Sequence, residues 1–415
     1  MSDSATVSVS ERPARKAPRR KRRLRWVLIA LGAACGAVLG LWVAIHRFEW
    51  MGPLVANTLR SIIGTDNVAR LEDFVYSVED AANRVSKKDE APKAYWSVPA
   101  SASAPLPRAP AVPTSSATGA APQLPPFHPQ DPGPALKSWS AKGDGVWVPI
   151  VDPRRPSEQP YMYKTLLHPD INRGWAEVFV VAVDLRRADL YAVAGSREPK
   201  FEDEKKAPTY ERKAKIPPEH HEELLAAFNG GFMTEHGGYG MKVDGVVIVS
   251  PKPEVCTLVK YKDDSMQIAT WKHIAEREPD MLWYRQAPSC MYENGKIHPG
   301  LTAGSGLKWG ATLDGETVIR RSAVGLSADR QILYVSITNH TTARVLADGL
   351  KHAGAVDVAQ MDVNWSYPKF VLFEPKDGGT ERKAVALAEG FEFSEDEFIR
   401  SKARRDFFYL MRKTP

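Results

Sequence analysis

The stretch Arg321–Val363, RSAVGLSADRQILYVSITNHTTARVLADGLKHAGAVDVAQMDV, decides the fold. Gln331 to Thr338 is dense in β-branched and aromatic residues and reads as a strand. Thr342 to Ala353 reads as a helix. Ala343, Leu346, Leu350 and Ala353 fall on one face, and Gly354 suits the position just past the helix end. Val356 to Val363 is a short buried strand. Arg321 to Gly325 opens the stretch as an arginine entering a further strand. Strand, strand, helix, strand within some forty residues calls for a sheet with a helix laid on it.

Working outward, Glu177–Leu185 (EVFVVAVDL) and Leu190–Ala194 read as strands. Asp244-Gly245, Asn294-Gly295 and Asp314-Gly315 each sit between apolar alternations, the strongest short-range hairpin signal. Arg405–Arg412 (RDFFYLMR) reads as a closing strand. Residues 197–217 carry many charges and prolines, so an exposed loop is expected there. The sum is an α+β domain over residues 141–415. It is built on a mixed, mainly antiparallel sheet with few helices, and about 275 residues suffice for a large core. No internal repeat is present.

Toward the N-terminus the character changes. Residues 1–25 form a basic arm, with nine basic residues between Arg12 and Arg25. Trp26–Ile45 (WVLIALGAACGAVLGLWVAI) holds no charge. As a helix it would span roughly 30 Å, so one transmembrane helix is expected ahead of the domain. The positive-inside rule keeps the arm in the cytoplasm and sends the rest outward, giving a single-pass inner-membrane protein with a periplasmic or otherwise extracytoplasmic domain. A cleaved signal peptide and a lipoprotein site at Cys35 are the rival readings. Against them, Gly32 stands where a lipoprotein leucine is usual, and apolar residues continue ten positions beyond Cys35. Gly32, Gly36 and Gly40 share one helix face and would let two anchors pack as a homodimer; plain glycine abundance in such helices is the alternative.

Residues 46–96 form a juxtamembrane segment. In it Val68, Leu71, Phe74, Val75, Val78, Ala82 and Val85 recur at helical steps. Lying on the bilayer, packing on a second copy and folding back on the domain all stay open for this helix. Residues 97–140 are rich in Pro, Ala and Ser and read as a semi-rigid linker.

The net charge of +6 misleads, because the basic arm supplies more than all of it. The remainder is close to neutral or slightly acidic, so a nucleic-acid partner is not supported. Three cysteines exclude a disulfide-dense mini-protein and a four-cysteine zinc site. No HExxH, P-loop or GxSxG phrase occurs, which removes support for zinc peptidase, nucleotide hydrolase and α/β-hydrolase chemistry. His220 and His221 are sequence neighbours and make a poor metal pair. No metal ligand set and no cofactor is implied.

Three phrases carry candidate chemistry. Asn229-Gly230-Gly231-Phe232 ends an apolar run, with an amide able to donate and accept and two glycines that permit close backbone approach. Arg321 can pair bidentately with a phosphate or carboxylate. Asp362, Asn364, Trp365 and Ser366 lie at the end of the strand after the helix, a frequent place for site residues. Each phrase has a bland alternative: a glycine turn, a salt-bridged arginine, a polar loop. His340 lies at a strand-to-helix junction, where a hydrogen-bonded structural role competes with a role in the site.

Together the three phrases resemble the phosphodiester glycosidase family, the domain of the lysosomal uncovering enzyme and of bacterial relatives of the exopolysaccharide-biosynthesis type. The resemblance covers roughly residues 177–375. It implies hydrolysis of a sugar-1-phosphodiester in an envelope glycan or glycolipid. Carried over to this chain, it implies Asn229, Arg321 and Asp362 as catalytic residues. It places Gly230, Gly231, Asn364, Trp365, Ser366 and His340 against substrate, and Glu235 and His236 as reserve acid/base groups. Family members carry Leu-Asp-Gly-Gly-Gly-Ser where this chain has Met361-Asp362-Val363-Asn364-Trp365-Ser366. The lost glycines open an alternative, a non-catalytic domain that binds or assembles envelope polysaccharide. Cys256 and Cys290 both lie in the exported part, an oxidising setting, and a disulfide between them is expected.

Overall fold

The computed structural model describes residues 64–98, 124–302, 309 and 317–413, with scattered positions between 26 and 63. The basic arm, most of the 26–45 run, residues 99–123 and the Asp314-Gly315 turn lie outside the described residues. Among the described residues no helix is long and apolar enough to cross a membrane. Residues 69–415 form one compact unit.

Among the described residues that unit holds three sheets. The largest has eight strands in the order β1 (Val148–Ile150), β2 (Met162–Leu167), β3 (Glu177–Asp184), β14 (Ile332–Asn339), β13 (Arg321–Leu326), β15 (Asp357–Val363), β11 (Tyr292–Glu293) and β12 (Lys296–Ile297). The second runs β7 (Val246–Val249), β6 (Met241–Val243), β10 (Met281–Ala287), β8 (Cys256–Tyr261), β9 (Met266–Thr270). The third runs β17 (Arg382–Ala386), β16 (Phe370–Pro375), β5 (Leu224–Asn229), β18 (Phe407–Arg412), β4 (Ala188–Val193). Helices are few: α1 (Thr65–Ser86), the short α2 (Pro299–Thr302) and α3 (Ala343–Ala353) among them. Every strand pairing among the described residues is antiparallel, so the sheets are not mixed. The β14–α3–β15 crossover is split: β13 lies between the two strands it connects.

Helix α3 forms where its residues dictate. The Thr342 side chain accepts from the Val345 N–H at its start, and Gly354 adopts φ 116° at its end. Leu346, Ala347 and Leu350 pack on Val178, Val180, Ala323 and Val358 of the large sheet. Gly349 lies so close to β3 that a Cβ there would come 2.9 Å from Val178. The opposite face of the large sheet presents Phe179, Val181, Val324, Ala359 and Met361. These form one core with Ala226, Phe228, Leu258, Trp283 and Phe408 of the other two sheets. Because side chains alternate along a strand, neighbours on β13 serve different layers. Ala323 faces the helix and Val324 the central core.

Two segments differ from their sequence reading. Residues 197–217 are not simply exposed, since Phe201, Ala214 and Ile216 are buried, and Phe201 and Ile216 help close the core. Residues 124–140, read as linker, partly pack on the domain. Phe127 is buried beside Tyr163, and the Asp131 carboxylate accepts from the Trp147 N–H. Cys256 and Cys290 form a disulfide that ties β8 to the segment after β10.

Candidate functional site

The start of β13, the end of β15, the end of β5 and the start of β18 meet at one place. Asn229, the last residue of β5, is fully buried. Its amide donates to the Ser322 hydroxyl at 2.7 Å and accepts from the Lys369 N–H at 3.1 Å. Ser322 stands opposite Asp362 across the β13–β15 pair, and its hydroxyl also accepts from the Asp362 N–H at 3.2 Å. A register shift next to Ser322 marks a bulge there, a device that re-aims side chains. Asn229, Ser322 and Asp362 thus converge from three distant stretches.

The cation beside Asp362 is Arg405. Its Nη2 lies 2.7 Å from Asp362 Oδ2 and donates to the Gly231 carbonyl at 2.9 Å. The guanidinium sits 3.6 Å from the centre of the Tyr367 ring, a cation–π contact. Arg405 Nε is buried without a hydrogen-bond partner in the protein, while Asp362 Oδ2 is engaged by Arg405 Nη2. Burial raises the Asp362 pKa, and the Arg405 charge offsets that only in part. Burial opposes the charge on Arg405, but the facing carboxylate more than compensates and raises its pKa. The half-buried Tyr367 stays a neutral phenol, its pKa raised by burial; its hydroxyl donates to the Asp406 carbonyl at 2.5 Å.

Behind this pair stands a second one. Arg285 Nε donates to Asp406 Oδ2 at 2.8 Å with both side chains buried, and the same oxygen accepts from the Gly231 N–H at 2.9 Å. The Gly230 N–H donates to the Asp406 carbonyl at 2.9 Å. A Cβ at Gly230 would lie 2.1 Å from Asp406 Oδ2, and one at Gly231 2.9 Å from the Arg285 guanidinium carbon. Both glycines therefore admit the Arg285–Asp406 pair against the backbone. That accounts for the glycine pair without any ligand.

Arg321 lies elsewhere. Adjacent to Ser322 on the strand, it points to the opposite, helix-covered side of the sheet. Its guanidinium donates to the carbonyls of Thr341, Trp309 and Thr317 and to Gln360 Oε1 at 2.5–3.2 Å. The structure thus separates Arg321 from Asn229 and Asp362, and gives it the work of fastening the segment before β13.

The other candidates divide. Asn364 is exposed and accepts from the Ser366 N–H and hydroxyl at 3.0 and 3.2 Å, a local turn in place of the glycine run. Trp365 lies 5.4 Å from the His340 ring, and the Arg320 guanidinium stands 4.9 Å from the Trp365 ring centre. His340 takes φ 51°, and burial, aided by Lys87 and Arg320, pushes its pKa down to about 4. Glu235 and His236 occupy a short turn; the Glu235 carboxylate is 3.7 Å from Lys200 and 3.8 Å from His236. No group of three or more His, Cys, Asp or Glu side chains that could hold a metal occurs among the described residues.

Sequence reasoning missed Ser322, Tyr367, Arg405, Asp406 and Arg285. The last offered a signal, a charged residue inside the apolar strand MLWYRQA, and Arg405-Asp406 opens RDFFYL in the same manner.

No known family profile and no curated protein matches the sequence. Among solved structures, the chain is similar to the zebrafish N-acetylglucosamine-1-phosphodiester alpha-N-acetylglucosaminidase catalytic domain, auto-inhibited by its pro-peptide. Identity is 14%, over 70% of this chain and 95% of that one, with a TM-score of 0.38. A hypothetical protein from Synechocystis is similar at 8% identity, over 62% of this chain and 65% of that one, with a TM-score of 0.29. The chain therefore bears a distant structural similarity to a phosphodiester glycosidase domain. Its functional reading rests on its own residues.

Proposed function

We propose that this protein is an envelope hydrolase of the phosphodiester glycosidase type, which cleaves a sugar-1-phosphodiester in a glycan or glycolipid. The observation that carries the reading is the Asp362–Arg405 pair. A buried carboxylate and a buried guanidinium, ion-paired at 2.7 Å and with Arg405 Nε left without a hydrogen-bond partner in the protein, stand together where Asn229 and Ser322 converge. A buried polar atom without a partner is costly, and a ligand that supplies the partner relieves that cost.

In this reading water adds to the anomeric carbon as the carbon–oxygen bond to phosphate breaks. The phosphate monoester leaves with the electron pair, through an oxocarbenium-like transition state. Asp362, as the carboxylate, stabilises the sugar cation or takes the proton of the attacking water. Arg405 takes the phosphate role that Arg321, spent on carbonyls, does not fill. Asn229 holds Ser322 and, through it, the bulged end of the site. Trp365, flanked by His340 and Arg320, offers an aromatic face to a sugar ring. A membrane anchor at residues 26–45 and an extracytoplasmic domain complete the proposal, as the Cys256–Cys290 disulfide favours.

A second reading has an observation of its own. The glycine run that would cradle an anion is replaced by the Asn364–Ser366 turn beside Trp365. A glycan-binding domain without turnover would keep Trp365 and not need Asp362. The full-length chain, in detergent, is to be assayed on a sugar-1-phosphodiester. Sugar release is expected, falling by about a hundredfold or more in Asp362→Ala. Release that is equal in the two proteins, or absent from both, overturns the enzymatic reading.

A further inference from the structure

Helix α1 is turned the wrong way round for a helix that closes a core. Apart from Val68, which is buried at its start, its less exposed positions are Tyr76, Glu79, Asp80, Asn83 and, one turn on, Lys87, a mostly polar stripe. This stripe is tied to the domain by Arg173, whose Nε and Nη2 donate to the two Asp80 carboxylate oxygens at 2.7 and 2.8 Å. The apolar stripe is left outside: Leu71 is 45% exposed, Phe74 65%, Val78 52% and Val85 83%. Docking a polar face and presenting an apolar one costs hydrophobic free energy unless something covers the apolar residues.

The spacing identifies the cover. Leu71, Phe74, Val78, Ala81 and Val85 follow one another at steps of three, four, three and four, and all are exposed. That is the alternation of the inner positions of a coiled coil, which another helix fills. Leu71, Val78 and Val85 take the first inner position and Phe74 and Ala81 the second. A bilayer surface is the poorer fit. The helix TDNVARLEDFVYSVEDAANRVS carries five acidic and two basic residues, whereas helices that lie on membranes are rich in Lys and Arg.

We propose that α1 pairs with α1 of a second copy of this chain as a parallel two-stranded coiled coil, with Leu71, Phe74, Val78, Ala81 and Val85 as its seam. The arrangement is parallel because the apolar run at residues 26–45 precedes α1 in both copies, so two chains held in one membrane present their helices in the same direction. The seam is about four turns long and weak by itself. Tethering in one membrane raises the effective concentration enough to close it. The surface is independent of Asp362 and Arg405, so it stands or falls apart from the proposed hydrolysis.

The test is thiol cross-linking in the full-length chain, reconstituted in vesicles, with Cys35→Ser as the parent. Val78→Cys places a thiol on the seam, and Ser86→Cys places one off it. Oxidation is expected to give covalent dimer about tenfold or more faster from position 78 than from 86, because an inner-position thiol faces its counterpart across the seam and an outer one does not. Adding Phe74→Asp is expected to abolish the difference while the domain stays folded by urea titration. Equal cross-linking at 78 and 86 overturns the proposal. So does a thiol at 78 that is shielded from a water-soluble maleimide without forming dimer, which would mean that lipid or another protein covers the stripe.

Discussion

Gly230 illustrates how a residue that looks like a ligand contact can be a packing requirement. Its missing Cβ makes room for the Asp406 carboxylate and backbone, and Asp406 in turn neutralises the buried Arg285. Gly230→Ala is expected to cost about 1–3 kcal/mol or more, as overpacking of a rigid site does. Urea titration checks it, and a variant as stable as the parent would contradict the account. His340 gives a second test at this scale. Its folded pKa of about 4 lies below the unfolded value of 6.5, so the native state binds fewer protons between those limits. Stability therefore rises with pH across that window. The contribution of the neutral ring is present above pH 6.5 and lost as pH falls toward 4. His340→Asn, which tolerates the positive φ, is expected to flatten that dependence. An unchanged fall in urea midpoint between pH 7 and 4.5 would contradict it.

At the scale of elements, α3 shows what was legible. Its apolar face and terminal glycine are local features, and the structure has both where the sequence puts them; Thr342, read as the first helical residue, is the cap that precedes the helix. Thr342→Ala is expected to remove about 1 kcal/mol by loss of the cap, read from the denaturation midpoint. No loss would mean the cap bond to Val345 contributes nothing. Strands β8 and β10 were not legible in the same way, because Lys260, Arg285 and Gln286 interrupt their apolar pattern. Those residues are buried, and their partners are supplied from far along the chain. Asp189 contacts Lys260, Asp406 pairs with Arg285, and Gln286 bonds the backbone of Gly240 and Lys252. A charge whose partner lies a hundred residues away reads as a surface residue until the fold is known. The same limit hid Arg405. Its meaning comes from Asp362 and Tyr367, and nothing near it in sequence announces either.

For the whole molecule, the sheet order explains why the candidate site could be read only in part. Asn229 and Asp362 lie at strand ends that the topology brings together, and each stood in a phrase unusual enough to single out. Arg321 stood in such a phrase too. However, strand alternation sends it to the helix-covered face while Ser322, one residue on, faces the site. A register shift of one residue separates those two outcomes, and the bulge beside Ser322 is invisible to pattern reading. In the proposed hydrolysis water attacks the anomeric carbon of a glycosyl phosphate bound beside the Asp362–Arg405 pair. Hydrolysis in ¹⁸O-labelled water tests it most directly. Label is expected in the released sugar hydroxyl and none in the phosphate monoester; label in the phosphate would mean that phosphorus, not carbon, is attacked, and would overturn the proposed mechanism.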